Sequence, residues 1–328
     1  MFDLSADLQQ ARYHIAIQIA AAAAIIFIWV CLRMPEGNLL IAVFTFLSAV
    51  RISDTASLKT RFKLLAGMMI ATSILQYIIS ATYNVQLLNI LMPTVAGYFI
   101  LRTMPTASAY PVLLTGFMTY SAHPGAYAAA QRIIDIIIAG SAAWVITWSA
   151  SFHIRFQQDE SSGKQLAPGE VFIETLTIFC AVLLYRILSM PQGIWIVLTI
   201  IFIYIARQPG QHSSELVRQR IFSVPLGILL GGIYSASAAV LDYRLAYLAP
   251  LIGAAGFFAL YSRHDFFSFS LLFMAAFTVC ADWLDGTFRE FNFWQLLFAR
   301  SLATLISTAV LLLVEKSAAI QVQQRQTQ

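Results

Sequence analysis

The sequence predicts an all-α integral membrane protein with about 12 transmembrane helices in two parallel six-helix repeats. Three observations support this prediction: charges are few, apolar runs of helical length follow one another, and a pattern recurs in the second half. Charged residues make up 11% of the 328 residues and hydrophobic residues 59%. A soluble domain carries about 25% charged residues, and a disordered chain has few apolar residues and many charges. Both classes are therefore excluded.

Apolar runs, each bounded by charged or turn residues, define the predicted helices. They cover residues 15–32, 38–50, 64–83, 87–101, 109–120, 133–150, 171–188, 193–206, 221–241, 245–261, 266–280 and 293–314. Several contain only about 13 to 15 residues, whereas a helix needs about 20 residues to cross a hydrocarbon core of ~30 Å. We expect flanking residues or a locally thinned bilayer to make up the difference.

The distribution of basic residues predicts the topology. With twelve spans and the N-terminus inside, fourteen of the 20 Lys and Arg residues, including every lysine, fall on one side of the membrane. Because basic residues are retained in cytoplasmic loops, this count favours both termini in the cytoplasm. The net charge of +4 therefore reflects topology and not a nucleic-acid partner.

A short motif recurs at a fixed offset in the two halves. Met34-Pro35-Glu36-Gly37 and Met190-Pro191-Gln192-Gly193 lie 156 residues apart, and each opens a short apolar run. These runs end at Arg51 and Arg207, which have the same offset. A basic stretch and a helix with small residues follow in both halves, and the last span of each half opens with an arginine. The shared order indicates an internal duplication.

The duplication predicts the organisation of the chain. Residues 1–151 form the first six-helix repeat, 152–170 a short cytoplasmic linker, 171–316 the second repeat, and 317–328 a polar disordered tail. Because each repeat has an even number of spans, both enter the membrane in the same direction, and an axis along the membrane normal relates them. Such an arrangement can enclose a central cleft or pore.

This pattern resembles the fusaric acid resistance-like superfamily, which includes bacterial inner-membrane exporters of aromatic carboxylic acids. The plant malate-channel family is similar. The resemblance is carried by Gly193 to Gly232 and Phe293 to Glu315, with a fainter copy at Pro35 to Gly67 and Gln131 to Gly140. It implies a multi-pass protein of the bacterial inner membrane, with a periplasmic membrane-fusion protein as a partner. Exporters of this type usually carry large soluble regions, so this chain resembles a membrane-only member.

Two arginines and one aspartate are the main site candidates. Asp135 interrupts an isoleucine-rich span, where an ionised carboxylate costs about 2.5 to 3.5 kcal/mol on insertion scales unless it is paired or faces water. Arg132 precedes it by three residues on the same helix face, and Arg300 is the counterpart of Arg132 in the second half. Since guanidinium groups bind carboxylates in a bidentate geometry, we predict that both arginines hold a small organic anion and that Asp135 couples a proton.

Structural alternatives exist for each of these residues. Arg132 and Asp135 could form a structural pair near the membrane surface, and Arg132 and Arg300 could anchor helix ends at the lipid headgroups. Glu174 and Arg186 lie near opposite ends of the seventh predicted span. They are secondary site candidates, and we interpret them as interfacial residues rather than gates.

A GxxxG spacing predicts a close contact between helices. Gly227, Gly231 and Gly232 lie in the small-residue helix of the second half. This spacing lets two helix backbones approach each other in a membrane. We therefore expect these glycines to serve packing and not chemistry.

Motifs for enzyme chemistry are weak. Asp282 and Asp285 resemble the aspartate pairs that bind magnesium diphosphates, but the sequence has no partner motif. His123 and His264 lack the spacing of metal ligands, and no Walker motif or nucleotide-binding glycine loop occurs. We therefore predict no enzyme activity, no cofactor and no nucleic-acid partner.

Together these features predict a secondary transporter that exports a small, aromatic organic anion and is driven by the proton gradient. The lipid bilayer and the anion are its expected partners. A passive organic anion channel is one alternative, because channels and carriers share the features described above. A membrane enzyme or assembly scaffold without transport is the other.

Overall fold

The structure, a computed structural model, describes residues 58–117, 120, 165–190, 192–207, 213–249, 265–283 and 292–326, together with parts of 133–141 and 251–259. These residues form helices and turns, and none of them lies in a strand. The predicted all-α class is therefore confirmed.

The principal helices in the described ranges follow the predicted apolar runs. In chain order they are α1 (Leu58–Thr82), α2 (Gln86–Thr103), α3 (Thr106–Phe117), α4 (Pro168–Leu188), α5 (Trp195–Ala206), α6 (Ser213–Leu241), α7 (Phe266–Trp283) and α8 (Phe293–Gln326). A 3₁₀ helix over Tyr243–Leu248 lies between α6 and α7.

Segments of four of these helices are long and apolar enough to cross a membrane. They are Phe62–Thr82, Pro168–Leu188, Ser213–Leu241 and Phe293–Ala318. The chain is thus a multi-pass α-helical membrane protein. The total of about 12 spans and the two-repeat arrangement stay predictions, because the runs 15–32, 38–50 and most of 133–150 lie outside the described residues.

Helix α6 begins earlier than the sequence predicts. The apolar run starts at residue 221, but the helix starts at Ser213 and has Glu215 in its first turn. Serine and acidic side chains stabilise helix N-termini, so part of the predicted basic loop is helical. Arg220, one of the fourteen basic residues predicted on the cytoplasmic side, lies within α6 and is buried, and its Nη1 donates to Ser270 Oγ of α7 at 2.6 Å.

Helix α8 ends later than the second repeat was predicted to end. It continues to Gln326, through most of the segment predicted to be a disordered tail. Alanine, glutamine, lysine and glutamate favour the helical backbone, and α8 contains no glycine or proline. Polarity indicates where this segment leaves the bilayer, but it does not end the helix.

Helix α5 forms the centre of its neighbourhood. Every residue of Trp195–Ile205 is buried, as expected of a helix that is apolar all round. It packs against α3 and α4, and α2 packs against the same two helices. At 12 residues it is only about 18 Å long, shorter than the ~30 Å hydrocarbon core.

The turn before α5 contains the second copy of the predicted repeated motif. Ser189 and Gln192 have left-handed backbone angles, with φ of 45° and 59°. Gly193 follows, and a Cβ atom there would lie 2.9 Å from the carbonyl oxygen of Met190. Glycine is required at this position because the chain turns too tightly for a side chain.

The glycines of α6 pack against α7, as their spacing predicts. A Cβ atom on Gly227 would lie 2.5 Å from the carbonyl oxygen of Leu271, and one on Gly231 would lie 2.6 Å from that of Ala275. Both obstacles are backbone atoms of a neighbouring helix, which cannot rotate away. The close approach of α6 and α7 thus depends on the missing side chains.

Two compact units make up the chain. One comprises Met1–Leu65, Asp135–Gln158 and Gln219–Leu297, and the other comprises Ala66–Ile134, Asp159–Arg218 and Phe298–Gln328. Each unit draws its segments from both predicted repeats. The division at residues 152–170 stays a prediction.

Replacing Gly231 tests the contact between α6 and α7. We expect Gly231→Ala to destabilise the protein by about 1 to 3 kcal/mol, the usual cost of overpacking, measured by thermal unfolding in detergent. Gly67→Ala is the matched control, because nothing lies within 4 Å of its Cβ position and alanine favours a helix by up to ~1 kcal/mol. Equal unfolding temperatures for the two variants would contradict the close contact.

Candidate functional site

Arg300 is buried near the start of α5, in a group of side chains that we call the turn site (Gln192, Trp195 and Arg300). Its exposed fraction is 1%. The guanidinium carbon lies 4.9 Å from the centre of the Trp195 ring, and Nη2 donates to Gln192 Oε1 at 3.5 Å. Trp195 Nε1 donates to the same oxygen at 3.2 Å. An arginine predicted from the sequence to bind an anion is therefore buried against an aromatic face.

The turn site contains groups that can recognise a carboxylate. A guanidinium group stays protonated and presents a fork of donors that fits a carboxylate, and a tryptophan face stabilises the cation. The left-handed backbone of Gln192 adds a local constraint of the kind that clusters at binding sites. An ionisable side chain in an intramembrane position is a functional candidate by default.

Arg132 and Asp135, the other main candidates, lie outside the described residues. Whether they join Arg300 at one anion site stays a prediction. Arg186 is half-buried at the end of α4, where its Nη2 donates to the Tyr83 carbonyl at 3.3 Å and its guanidinium carbon lies 5.2 Å from the Tyr83 ring centre. These contacts fit a residue that fixes the end of α4 to the end of α1.

Glu174, a secondary candidate, lies in a second polar site at the opposite end of α5. We call this site the charge cluster (Tyr110, Glu174, Arg207, Ser213 and Glu315). Glu174 is 1% exposed, and its Oε1 accepts from Arg207 Nη2 at 2.5 Å. The Tyr110 hydroxyl lies 2.8 Å from the other carboxylate oxygen. Glu174 is thus the buried half of an ion pair.

Glu315 is the second carboxylate of the charge cluster. Its Oε1 accepts from Arg207 Nη1 at 3.2 Å and from the Ser213 hydroxyl at 2.7 Å. The Arg207 guanidinium carbon also lies 5.0 Å from the Tyr204 ring centre. Through these contacts the cluster joins the beginning of α4, the end of α5, the beginning of α6 and the last third of α8.

The surroundings keep Arg207 charged. Burial by itself lowers the pKa of the guanidinium, but Glu174, followed by the tyrosines and Glu315, favours the cation, and the pKa is raised above its ordinary value. Since free arginine already titrates above about 12, Arg207 is a permanent cation. Any change of charge in the cluster must therefore come from its carboxylates.

The sequence left Arg207 and Glu315 unrecognised as site residues. In the sequence, Arg207 marks the end of a repeated run, and Glu315 is the last residue of the segment that resembles the family. The available signal is the rarity of acids in and beside the apolar runs, because Glu174 lies inside the run 171–188 and Glu315 directly follows the run 293–314. In the part of the chain that the structure describes, no group of three or more His, Cys, Asp or Glu side chains could hold a metal ion.

Comparison with known families supports the resemblance predicted from the sequence. Residues 180–314 match the family described as fusaric acid resistance protein-like. The matched segment contains the whole turn site and Arg207, whereas Glu174 and Glu315 lie just outside it. The match supports a membrane protein of the transport or efflux type. Neither a curated protein nor a solved structure gives a significant match.

The ion pair of Arg207 and Glu174 can be tested by stability. Arg207→Ala leaves Glu174 buried without its cation, which typically costs about 3 to 5 kcal/mol. The double variant Arg207→Ala/Glu174→Gln removes both charges, so we expect it to recover part of that loss. Denaturant unfolding in detergent measures both effects. Arg102→Ala, at an exposed position on α2, is the control, and an equal effect at Arg102 would contradict the assignment.

Proposed function

Because residues 180–314 match the fusaric acid resistance protein-like family, we propose that this chain is a proton-coupled secondary transporter that exports small organic anions. Aromatic carboxylates are the expected substrate class. The observation that carries this proposal is the burial of Arg300 beside Trp195 in a membrane protein.

The turn site supports an aromatic acid as substrate. A carboxylate could accept a bidentate, charge-assisted pair of hydrogen bonds from the Arg300 guanidinium. An aromatic ring on the same molecule could pack against Trp195, since aromatic pairs contribute about 0.5 to 1.5 kcal/mol beyond area burial. An aliphatic acid of the same charge would lack this second contribution.

The remaining parts of the proposal come from the sequence. Arg132 is the second anion-binding arginine, and Asp135 takes up and releases the proton. The protein lies in the bacterial inner membrane with both termini in the cytoplasm, as the distribution of basic residues favours. A periplasmic membrane-fusion protein carries the exported acid onward.

Arg300 variants test the substrate site. In everted membrane vesicles, we expect Arg300→Gln to reduce uptake of labelled benzoate about tenfold or more. The reason is that a hydrogen bond to a charged group contributes about 1.5 to 3 kcal/mol, and about 1.4 kcal/mol is a factor of ten. Arg300→Lys keeps the charge but loses the fork, so an intermediate rate is expected. Arg102→Gln, at an exposed position, should transport like the wild type.

Two outcomes of this assay would contradict the proposal. Unchanged benzoate uptake by Arg300→Gln would remove Arg300 from the substrate site. Absence of uptake by the wild type, for benzoate and for a panel of other organic acids, would favour a membrane scaffold or enzyme.

Asp135 tests the coupling. Asp135→Asn cannot carry a proton, so we expect it to abolish uptake driven by a pH gradient while passive exchange of labelled for unlabelled benzoate continues. Asp135→Glu retains a carboxylate and should keep some gradient-driven uptake. Normal proton-coupled uptake by Asp135→Asn would show that this residue does not couple the proton.

A further inference from the structure

We propose that the charge cluster is a proton-binding site, in which Glu174 takes up one proton in addition to the proton assigned to Asp135. Its link to transport rests on the proposed function, whereas the binding of a proton at Glu174 does not.

The charges of the cluster do not balance when every group is ionised. Arg207 contributes one positive charge, and Glu174 and Glu315 contribute one negative charge each. Glu174 is the member that is buried away from water, where an unbalanced charge is costly, and one proton brings the cluster to neutrality. Glu174 has an exposed side-chain fraction of 2%, compared with 27% for Glu315. A proton on Glu174 therefore removes the more deeply buried of the two negative charges.

Both protonation states of Glu174 have a hydrogen-bonding partner. The Tyr110 hydroxyl lies 3.0 Å and 2.8 Å from the two carboxylate oxygens. A tyrosine hydroxyl can donate to a carboxylate and can accept from a protonated carboxyl group. Proton uptake thus requires only the rotation of the Tyr110 hydroxyl hydrogen. Both carboxyl oxygens of Glu174 stay within hydrogen-bonding distance of that hydroxyl.

Among the residues that the structure describes, the elements around Glu174 bring five charged or titratable groups to it. They are Tyr110 from α3, Tyr204 and Arg207 from α5 and the residue after it, Glu315 from α8, and Glu170 on the same helix. The titratable side chains of α2, which also packs on α4, are Tyr98 and Arg102, and both are exposed. Arg207 is therefore the cation whose pairing changes when Glu174 is protonated.

Protonation of Glu174 alters one contact selectively. The pair between Arg207 and Glu174 becomes a neutral contact, while the pair between Arg207 and Glu315 persists. The ionic contact between α4 and the end of α5 weakens, and the ionic contact between the end of α5 and α8 remains.

Helices α5 and α8, which stay connected through Arg207, also contain two residues of the turn site. Helix α5 begins at Trp195 and ends just before Arg207, and α8 contains both Arg300 and Glu315. The two sites are separated by about 18 Å along α5. A proton at Glu174 can therefore bias the position of the helices that form the turn site. Coupling between proton binding and anion binding requires a physical link of this kind.

Infrared difference spectroscopy on the purified protein tests proton binding directly. Between about pH 5 and about pH 8, we expect the wild type to show carbonyl absorption from protonated buried carboxyl groups, and Glu174→Gln to lose the band that Glu174 contributes. Glu174→Asp should retain a band at shifted frequency. Glu215→Gln, at an exposed position in the first turn of α6, should leave the band unchanged.

A variant of Glu315 separates the two carboxylates. Glu315→Gln leaves Arg207 and Glu174 as a neutral pair, so we expect less proton uptake at the same pH but a band of the same origin. A band that persists in Glu174→Gln and disappears in Glu315→Gln would overturn the assignment to Glu174. Absence of any such band in the wild type would overturn the proton site itself.

Transport by the same variants tests the link to function. In proteoliposomes, we expect Glu174→Gln to lose benzoate accumulation driven by a pH gradient and to keep the exchange of labelled for unlabelled benzoate. A merely structural residue would impair both. Gradient-driven accumulation at the wild-type level would overturn a coupling role for Glu174. If the wild type transports no anion, the proposed function fails, and the infrared result still decides whether Glu174 binds a proton.

Discussion

The burial of α5 on every side is the constraint on which both polar sites depend. A short helix without a polar face must be enclosed by its neighbours, and α3 and α4 are two of the helices that pack on it. One polar site lies at each end of this enclosed helix. Trp195 at the first end is 3% exposed, and the side chain of Arg207, after the second end, is 23% exposed.

Charges held in such surroundings must be matched by nearby groups, because little water is present to stabilise them. The protein meets this requirement differently at the two ends of α5. At the turn site, a cation is placed against an aromatic ring and an amide oxygen. At the charge cluster, one cation is shared between two carboxylates that also receive hydroxyl donors. The first arrangement suits an anionic ligand, and the second suits a change of protonation.

The fold was predictable from the sequence to the extent that it depends on apolar length. The runs at residues 171–188 and 266–280 correspond closely to α4 and α7, and the glycines of α6 pack as their spacing predicts. Helix ends were less predictable. Ser213 begins α6 ahead of its apolar run, and α8 continues to Gln326 beyond its own, because capping and backbone propensity, and not hydropathy, set those boundaries.

By itself, the sequence determined the membrane class, the short helix with its tight turn, and Arg300 as a candidate for anion binding, since each follows from local composition or a local motif. Only the tertiary structure decided which charges meet. Arg207 lies 33 residues from Glu174 and 108 from Glu315, and no spacing within one helix relates them. Their contact depends on how α4, α5 and α8 pack and rotate about their axes, which is fixed by the fit of many apolar side chains across the interfaces.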